Sequence, residues 1–358
     1  MKSLFQVLIM VLTSGFIFSG CSSKWEINNP YENVDWENHT KYKANLHTHT
    51  TRSDGRMSPQ KVVDSYHSLG YKILAITDHN EVTYPWTNFS ELLPSESAHE
   101  RLERGDITSD ELVFENRNPG EMEMFAIQGN EVSAPHHTGS YFTDYQEQPG
   151  EENVVLGEIG KKNGLALLNH PGRYTTRNPE KYNVNWYVDI FNSYDFLTGM
   201  EVYNQGDRYP HDREFWDEVL KKTMPGRNVW GYSNDDFHVG MERLGRNWNV
   251  FILPELNEEW IRIGMLEGRF FYVYAVNGHN GPEVPDIKSI EVNSKKATIE
   301  IVSSGQDSIR WISGNNVVGR GGKLSLSEIP NLSGYVRAEI FGPESVTGTQ
   351  PFGIKKAD

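Results

Sequence analysis

A single cysteine, Cys21, stands in 358 residues. No internal disulfide can cross-link the chain, so its fold must rest on its core and on any ions it binds. Positive charge is also scarce: 34 Lys and Arg against 49 Asp and Glu leave a formal net charge of −15. With no Lys/Arg cluster to override it, that balance repels the nucleic-acid backbone, and no nucleic-acid partner is expected. Beyond the first twenty positions, no apolar run reaches the roughly 20 residues of a membrane-spanning helix. A G-x-S-x-G elbow is missing, which removes the usual signature of a serine hydrolase. A G-x-x-x-x-G-K-[ST] loop is missing too, which removes the P-loop nucleotide binders.

What is present begins with the only long apolar run, Leu4 to Phe18, preceded by Lys2 and followed by Ser19-Gly20-Cys21. A positive start, a short apolar core and small residues at its end describe a secretory signal over residues 1–20. The box Phe18-Ser19-Gly20-Cys21 resembles the bacterial lipobox, in which the cysteine becomes the first mature residue and carries lipid. The expected location is the cell envelope, with the chain held to a bacterial membrane through lipidated Cys21 on the periplasmic or surface side. Residues 21–42 read as a polar tether with scattered aromatics, Trp25, Tyr31 and Trp36 among them.

From residue 43 a pattern recurs: a short apolar run ends in polar, reactive residues, and a helical stretch often follows. Tyr42–Leu46 leads into His47-Thr48-His49. Ser58-Pro59 opens a helix that Gly70 ends. Tyr71–Thr77 ends in Asp78-His79-Asn80, Met124–Gly129 in Asn130-Glu131, Leu165–Leu168 in Asn169-His170-Pro171, and Val229–Tyr232 in Asn234-Asp235-Asp236-Phe237-His238. Helices are expected near Val154–Lys162 and His211–Lys222, and a further strand over Gly199–Tyr203. Strand–helix alternation predicts an α/β fold with a parallel sheet or barrel, whose active sites lie at strand C-termini. Residues 84–120 break the rhythm and read as an insertion over the rim, in the position of a lid. After about residue 285 the chain turns to short alternating strands, Ile287–Val292, Ala297–Val302, Ser308–Ile312 and Tyr335–Ile340. These predict a small antiparallel β-sandwich over 285–358 that packs or spaces.

The chemistry lies in the strand ends. His47 and His49, two apart on a strand, point to one side and can reach one metal ion. Asp54 follows in a glycine-containing turn and can return a carboxylate to the same place. His79 closes the second strand, with Asp78 beside it to orient it or a neighbour. Glu131 ends another strand, and a carboxylate can bridge two ions where a neutral imidazole cannot. Of His136 and His137 in the next loop, His137 is the preferred ligand. His170 ends a further strand, and Asp236 and His238 repeat the two-residue spacing. Asp235 should face away from them, and His211 should start a helix without binding metal. A lone strand-end histidine is more often a hydrogen-bonded structural residue than a ligand. Here at least five strand ends carry histidine or carboxylate, and strand ends of one barrel converge. Mixed imidazole and carboxylate donors suit Zn, Mn or Fe and disfavour Ca.

Taken in order, His47-Thr48-His49 with Ser53-Asp54-Gly55, Ile76-Thr77-Asp78-His79, Gly129-Asn130-Glu131-Val132, Asn169-His170-Pro171-Gly172 and Asn234-Asp235-Asp236-Phe237-His238 resemble the motif set of the PHP (polymerase and histidinol phosphatase) family. The resemblance spans roughly residues 43–275. It implies a distorted (β/α)7 barrel, over 43–284, holding two or three divalent metal ions. It also implies that His47, His49, Asp54, His79, Glu131, His170, Asp236 and His238 are ligands, with Glu131 bridging. Ala134-Pro135-His136-His137 departs from the family's spacing. The stretch Arg213–Gly231 and the β-rich tail resemble exported members with an added C-terminal domain.

The implied reaction is hydrolysis of a phosphate mono- or diester in a small phosphorylated substrate, with metal ions lowering the pKa of water from about 15.7 towards about 7. Glu131 and His79 are expected to be essential, with Asp78 in support. Arg173, three residues past His170, can grip a phosphoryl oxygen with its planar fork, and Arg208 is a second candidate. Two other functions compete. A single-strand nuclease is disfavoured by the net charge. A glycan- or ligand-binding surface lipoprotein without activity is disfavoured by the near-complete donor set.

Overall fold

The computed structural model describes residues 25–133, 135–146 and 150–357. The expected signal sequence and Cys21 lie outside the described residues. Among those described, no helix is long and apolar enough to cross a membrane.

The architecture is mixed α/β. The strand Thr40–Asn45 pairs in parallel with Ile73–Ala75, which pairs in parallel with Phe125–Ile127. A second sheet runs Gly129–Val132, Thr138–Tyr141, Leu165–Leu168, Leu197–Asn204 and Trp230–Asn234. Its last two pairings are parallel, whereas Thr138–Tyr141 is antiparallel to both of its neighbours. Single bridges connect the two sheets where reactive residues begin, Thr48 to Phe237 and His79 to Glu131. The strand Thr138–Tyr141 was not foreseen. Its sequence, Thr-Gly-Ser-Tyr, has too few apolar residues to announce a strand, although all four are buried.

The helices fall close to where the sequence put them. Pro59–Ser68 starts with proline in its first turn, and Gly70, at φ +76°, supplies the left-handed residue just past its end. Glu152–Lys161 and Asp212–Thr223 match the expected stretches within two residues. Their apolar faces pack on the sheets. Val155, Leu156 and Ile159 from the first helix, with Trp216, Val219 and Leu220 from the second, share a core cluster with Leu168, Met200 and Val202.

The C-terminal region is antiparallel, as expected. Asp286–Asn293, Thr298–Ser304 and Lys323–Ser325 form a three-stranded sheet. Ile287, Ile299 and Leu324 from this sheet share a core cluster with Trp311, Ala338 and Ile340 of the opposing layer. That opposing layer is continuous with the rest of the protein. Tyr335–Gly342 pairs with Ser345–Gly348, which pairs with Phe270–Ala275, then Asn247–Leu253, then Thr40–Asn45. Backbone hydrogen bonds therefore cross the expected boundary near residue 285.

Two expectations need correction. Residues 25–42 do not trail as a tether. Trp25–Asn28 pairs antiparallel with Phe352–Lys356. Tyr31 is buried, its hydroxyl donating to the Phe270 carbonyl at 3.0 Å and accepting from the Gln350 amide at 2.8 Å. The aromatics that looked scattered are anchors: Tyr31 packs against Trp36 and Phe352, and Trp25 and Trp36 pack on the main core cluster. Nor does the segment 84–120 hang over the rim as a lid. Trp86 and Phe89 are buried in the main core cluster. Ser95 and Arg101 donate to the Ser53 and Gly55 carbonyls, and Glu111 accepts from Lys61 and the Ser58 amide. The segment is a brace for the loop that carries Asp54.

Candidate metal centre

The residues that the sequence singled out at strand ends meet in one cleft of about 310 Å³, lined by Asp54, His79, Glu131, His137, His170, Arg173, Gln205, Arg208, Tyr209, Asp236 and His238. His47 and His49 form its floor, fully buried beyond the end of the first strand. Both imidazoles face inward, and Thr48 between them is held by its backbone amide, which donates to the Thr77 hydroxyl.

Glu131 sits at the centre. Its Oε1 lies 3.2 Å from His47 Nε2 and 3.1 Å from His170 Nε2, and accepts from Asn169 Nδ2 at 2.8 Å. Its Oε2 lies 3.0 Å from His79 Nδ1 and 3.2 Å from His137 Nδ1. Asp236 Oδ1 is 3.3 Å from His47 Nε2, 3.2 Å from His49 Nε2 and 3.4 Å from His238 Nδ1. Towards solvent, Asp54 Oδ1 lies 3.1 Å from His238 Nε2, 3.5 Å from His79 Nε2 and 3.7 Å from His49 Nδ1. Donor atoms within 4.8 Å of one another form four groups: His49, Asp54, His79 and His238; His47, Glu131 and His170; His47, His49 and Asp236; His79, Glu131 and His137.

Close approach is not mutual satisfaction. Glu131 Oε2, His137 Nδ1 and Asp236 Oδ1 are buried without a hydrogen bond among the described residues. Buried polar atoms are rarely left so, and each costs about 1–3 kcal/mol unless something takes up the lone pair. His47 Nε2 and His49 Nε2 face each other at 3.0 Å, aimed at a common point. Imidazole and carboxylate donors converging in this way fit divalent transition-metal ions.

Charge is shared unevenly through the cluster. Burial opposes ionisation everywhere, yet the nearby carboxylates win at some sites. Against that burial, Glu131 and Asp54 lift His79 to about 10, and Asp236, Glu131 and Glu201 lift His47 well above its ordinary value. His49 falls to about 4, through burial and through the neighbouring His238 and His79. Glu131, despite burial, is held well below the carboxylate range by His137, His47 and His79.

Backbone strain accompanies the site. His170 and Asp236 both adopt left-handed conformations, at φ 31° and 46°. For residues with a Cβ such conformations cost about 1–3 kcal/mol and persist where the surroundings enforce them. Gly55 permits the Asp54 loop to close over His49: a Cβ there would lie 2.5 Å from the His49 carbonyl.

Of the paired histidines, His137 faces Glu131, as preferred. His136 turns the other way, bonding the Tyr187 hydroxyl at 2.7 Å and stacking between Tyr174 and Trp186. Asp235 also points away, as expected, accepting from Tyr66 and from the Gly245, Arg246 and Asn247 amides. Exposed His211 precedes its helix. Asp78 departs from its expected catalytic place. Its carboxylate is taken up by the Thr50 amide and by the Thr50, Ser53 and Thr83 hydroxyls at 2.6–2.7 Å, so it sets the loop before Asp54 and does not line the cleft. Arg173 and Arg208 both reach the cleft wall.

One functional residue escaped the sequence reading. Glu201, fully buried in the strand Leu197–Asn204, lies 2.9 Å from His47 Nδ1. A carboxylate in the otherwise apolar run Met200–Tyr203 was the available signal, since a buried acid demands partners.

The sequence model of the PHP domain matches residues 45–279. The chain belongs to the PHP family. The expected enzyme class, a metal-dependent phosphoesterase, holds with that membership. Among solved structures, this PHP protein is similar to a two-domain protein from Bacteroides vulgatus that contains a predicted PHP-like metal-dependent phosphoesterase. The two are 16% identical with a TM-score of 0.50, over 89% of this chain and 88% of that one. An amidohydrolase from Chromobacterium violaceum is 16% identical over 63% of this chain and 96% of that one, with a TM-score of 0.38. The lesion-specific endonuclease PfuEndoQ from Pyrococcus furiosus is 15% identical over 63% of this chain and 56% of that one, with a TM-score of 0.39. No curated protein matches the sequence significantly.

Proposed function

We propose that this PHP protein hydrolyses a phosphate ester of a small substrate, using two or three divalent ions of Zn, Mn or Fe. The carrying observation is the convergence of His47, His49, Asp54, His79, Glu131, His137, His170, Asp236 and His238 around shared points, with donor atoms left unsatisfied. Glu131 is the bridging ligand of this reading, since its two oxygens face different histidine pairs. Bound ions would supply Lewis acidity and an activated water at neutral pH.

The chain's own residues do the rest. Arg173 makes no ion pair among the described residues, which leaves its guanidinium available to two phosphoryl oxygens. Arg208, held by Gln205 Oε1 at 2.6 Å, offers a second positive group on the same wall. The seven-stranded barrel reading is supported by the bridges from Thr48 to Phe237 and His79 to Glu131, which link the ends of the two sheets. In this reading residues 43–284 are the catalytic unit, 285–358 support it, and lipidated Cys21 holds the chain at a bacterial membrane. Labelled palmitate incorporated by the intact chain and not by Cys21→Ser tests that anchor.

The activity test pairs metal analysis with p-nitrophenyl phosphate and bis-p-nitrophenyl phosphate. Hydrolysis of either, lost on chelation and restored by metal, is the expected result. Cleavage of single-stranded DNA with neither small ester turned over would replace this reading by the nuclease one.

A further inference from the structure

Glu201 meets the cluster from behind, on the side away from the cleft. Both of its oxygens are fully engaged. Oε1 accepts from His47 Nδ1 at 2.9 Å and from Asn234 Nδ2 at 3.0 Å. Oε2 accepts from the His170 backbone amide at 2.7 Å and from Asn204 Nδ2 at 2.8 Å. One carboxylate thus grips two histidines that lie far apart in the chain, one through its ring and one through its backbone.

We propose that Glu201 is the positioning residue that presets the His47–Glu131–His170 donor group, and that it acts on this group while leaving the His49–Asp54–His79–His238 group alone. The inference rests on the metal-dependent reading above. The argument for His47 is tautomeric. A carboxylate oxygen at Nδ1 keeps a proton on that nitrogen, so Nε2, which lies between Glu131 and Asp236, is the nitrogen left to give up its proton and ligate a cation. The argument for His170 is conformational. Its backbone stands at φ 31°, ψ 63°, outside the regions a β-carbon favours. The short bond from its amide to Glu201 fixes that turn and directs Nε2 towards Glu131 Oε1. Glu201 touches none of His49, Asp54, His79 or His238, so its influence is local.

Glu201→Gln is a discriminating change because it preserves shape while replacing one acceptor by a donor. With the amide nitrogen at the Oε1 position, it faces His47 Nδ1 and forces the ring proton to Nε2. With the nitrogen at the Oε2 position, it confronts the His170 amide, two donors with nothing between them. Either orientation disables one ligand of the same group. Asn204 can turn its unpartnered Oδ1 to meet a nitrogen at the Oε2 position, leaving the His170 amide frustrated, whereas a nitrogen at the Oε1 position confronts Asn234 Nδ2 as well as His47.

The experiment measures metal binding directly, without any ester. Metal-free wild type and Glu201→Gln are titrated with Zn²⁺ against a chromogenic chelator, and stoichiometry is checked by elemental analysis. Co²⁺ loading reports the sites by their visible absorption. The expected outcome is binding through His47 and His170 weakened about 10–100-fold, the range for loss of a partner that orients a ligand, with the His49–Asp54–His79–His238 site unchanged. Asn204→Ala removes one donor to Oε2 without altering the carboxylate, and it should weaken the same site by a smaller factor. It also carries the test if Glu201→Gln does not fold. Equal weakening of every site in the two variants, or none in either, overturns the proposal. A wild type that binds no metal overturns the metal-dependent reading itself, so the two failures are distinguishable.

Discussion

Two clusters of buried charge in this molecule look alike in composition and differ in completeness. In the cleft, imidazoles and carboxylates crowd together and several of their atoms stay unsatisfied. Behind the Asp212–Thr223 helix lies the other cluster. There Arg337 bonds Asp217 at 2.7 and 2.9 Å and Glu339 at 2.6 Å, Arg310 bonds Glu339 at 2.6 Å, and the Tyr335 hydroxyl donates to Asp217. Every charge in that network has an opposite partner with a directed hydrogen bond. A closed network fixes how the helix sits on the C-terminal strands, whereas an open one waits for ligands. The lesson is that burial and charge do not by themselves mark a functional site. Unmet bonding capacity does.

Breaking either cluster should show the contrast. Glu131→Ala removes the shared carboxylate of the open cluster. Turnover of p-nitrophenyl esters should fall by at least about 10³-fold and metal content should drop, while far-UV circular dichroism stays native. Retained turnover would end the case for Glu131. In the closed cluster, Arg337→Ala strands Asp217 and Glu339 without their cation. Denaturant unfolding of the metal-loaded protein should show about 3–5 kcal/mol lost, with metal stoichiometry intact. Arg173→Ala should lower kcat/KM by about 10–100-fold, since one guanidinium contact to phosphate contributes about 1.5–3 kcal/mol. Arg173→Lys should recover only part of that.

Acid should reach the closed cluster through Glu339, which Arg337 and Arg310 hold below the ordinary carboxylate value in spite of its burial. A carboxylate with a depressed folded-state pKa contributes stability that is present above the unfolded value near 4.5 and lost as pH falls through the folded one. Stability should therefore decline below about pH 4.5, and Glu339→Gln should flatten that decline. The smallest effect belongs to His136→Asn, which should leave metal stoichiometry unchanged where His137→Ala lowers it. Equal losses from the two would erase the distinction drawn between adjacent histidines.

Much of the cleft was legible because strand ends carry period-two patterns that survive in the primary order. His47 with His49 shows this directly, whereas Asp236 reaches His238 through a left-handed turn past the strand end that the spacing did not announce. Asp78 illustrates the limit: it sits beside a ligand yet serves Thr50, Ser53 and Thr83, partners that only the folded loops bring to it. Glu201 was hidden for a like reason. It lies inside a strand, and only tertiary pairing brings it against His47 and the His170 amide. The segments read as tether and lid failed together, since polar composition conceals anchoring by single residues such as Tyr31, Trp86 and Arg101.

The ladder between Trp25–Asn28 and Phe352–Lys356 carries one more implication. The first described strand has its partner far along the chain, a sequence separation that slows folding through loop-closure entropy. Tyr31 likewise waits for Gln350 before its hydroxyl is satisfied. The edge of the sheet at Trp25–Asn28 therefore closes only once the distant strand Phe352–Lys356 is in place.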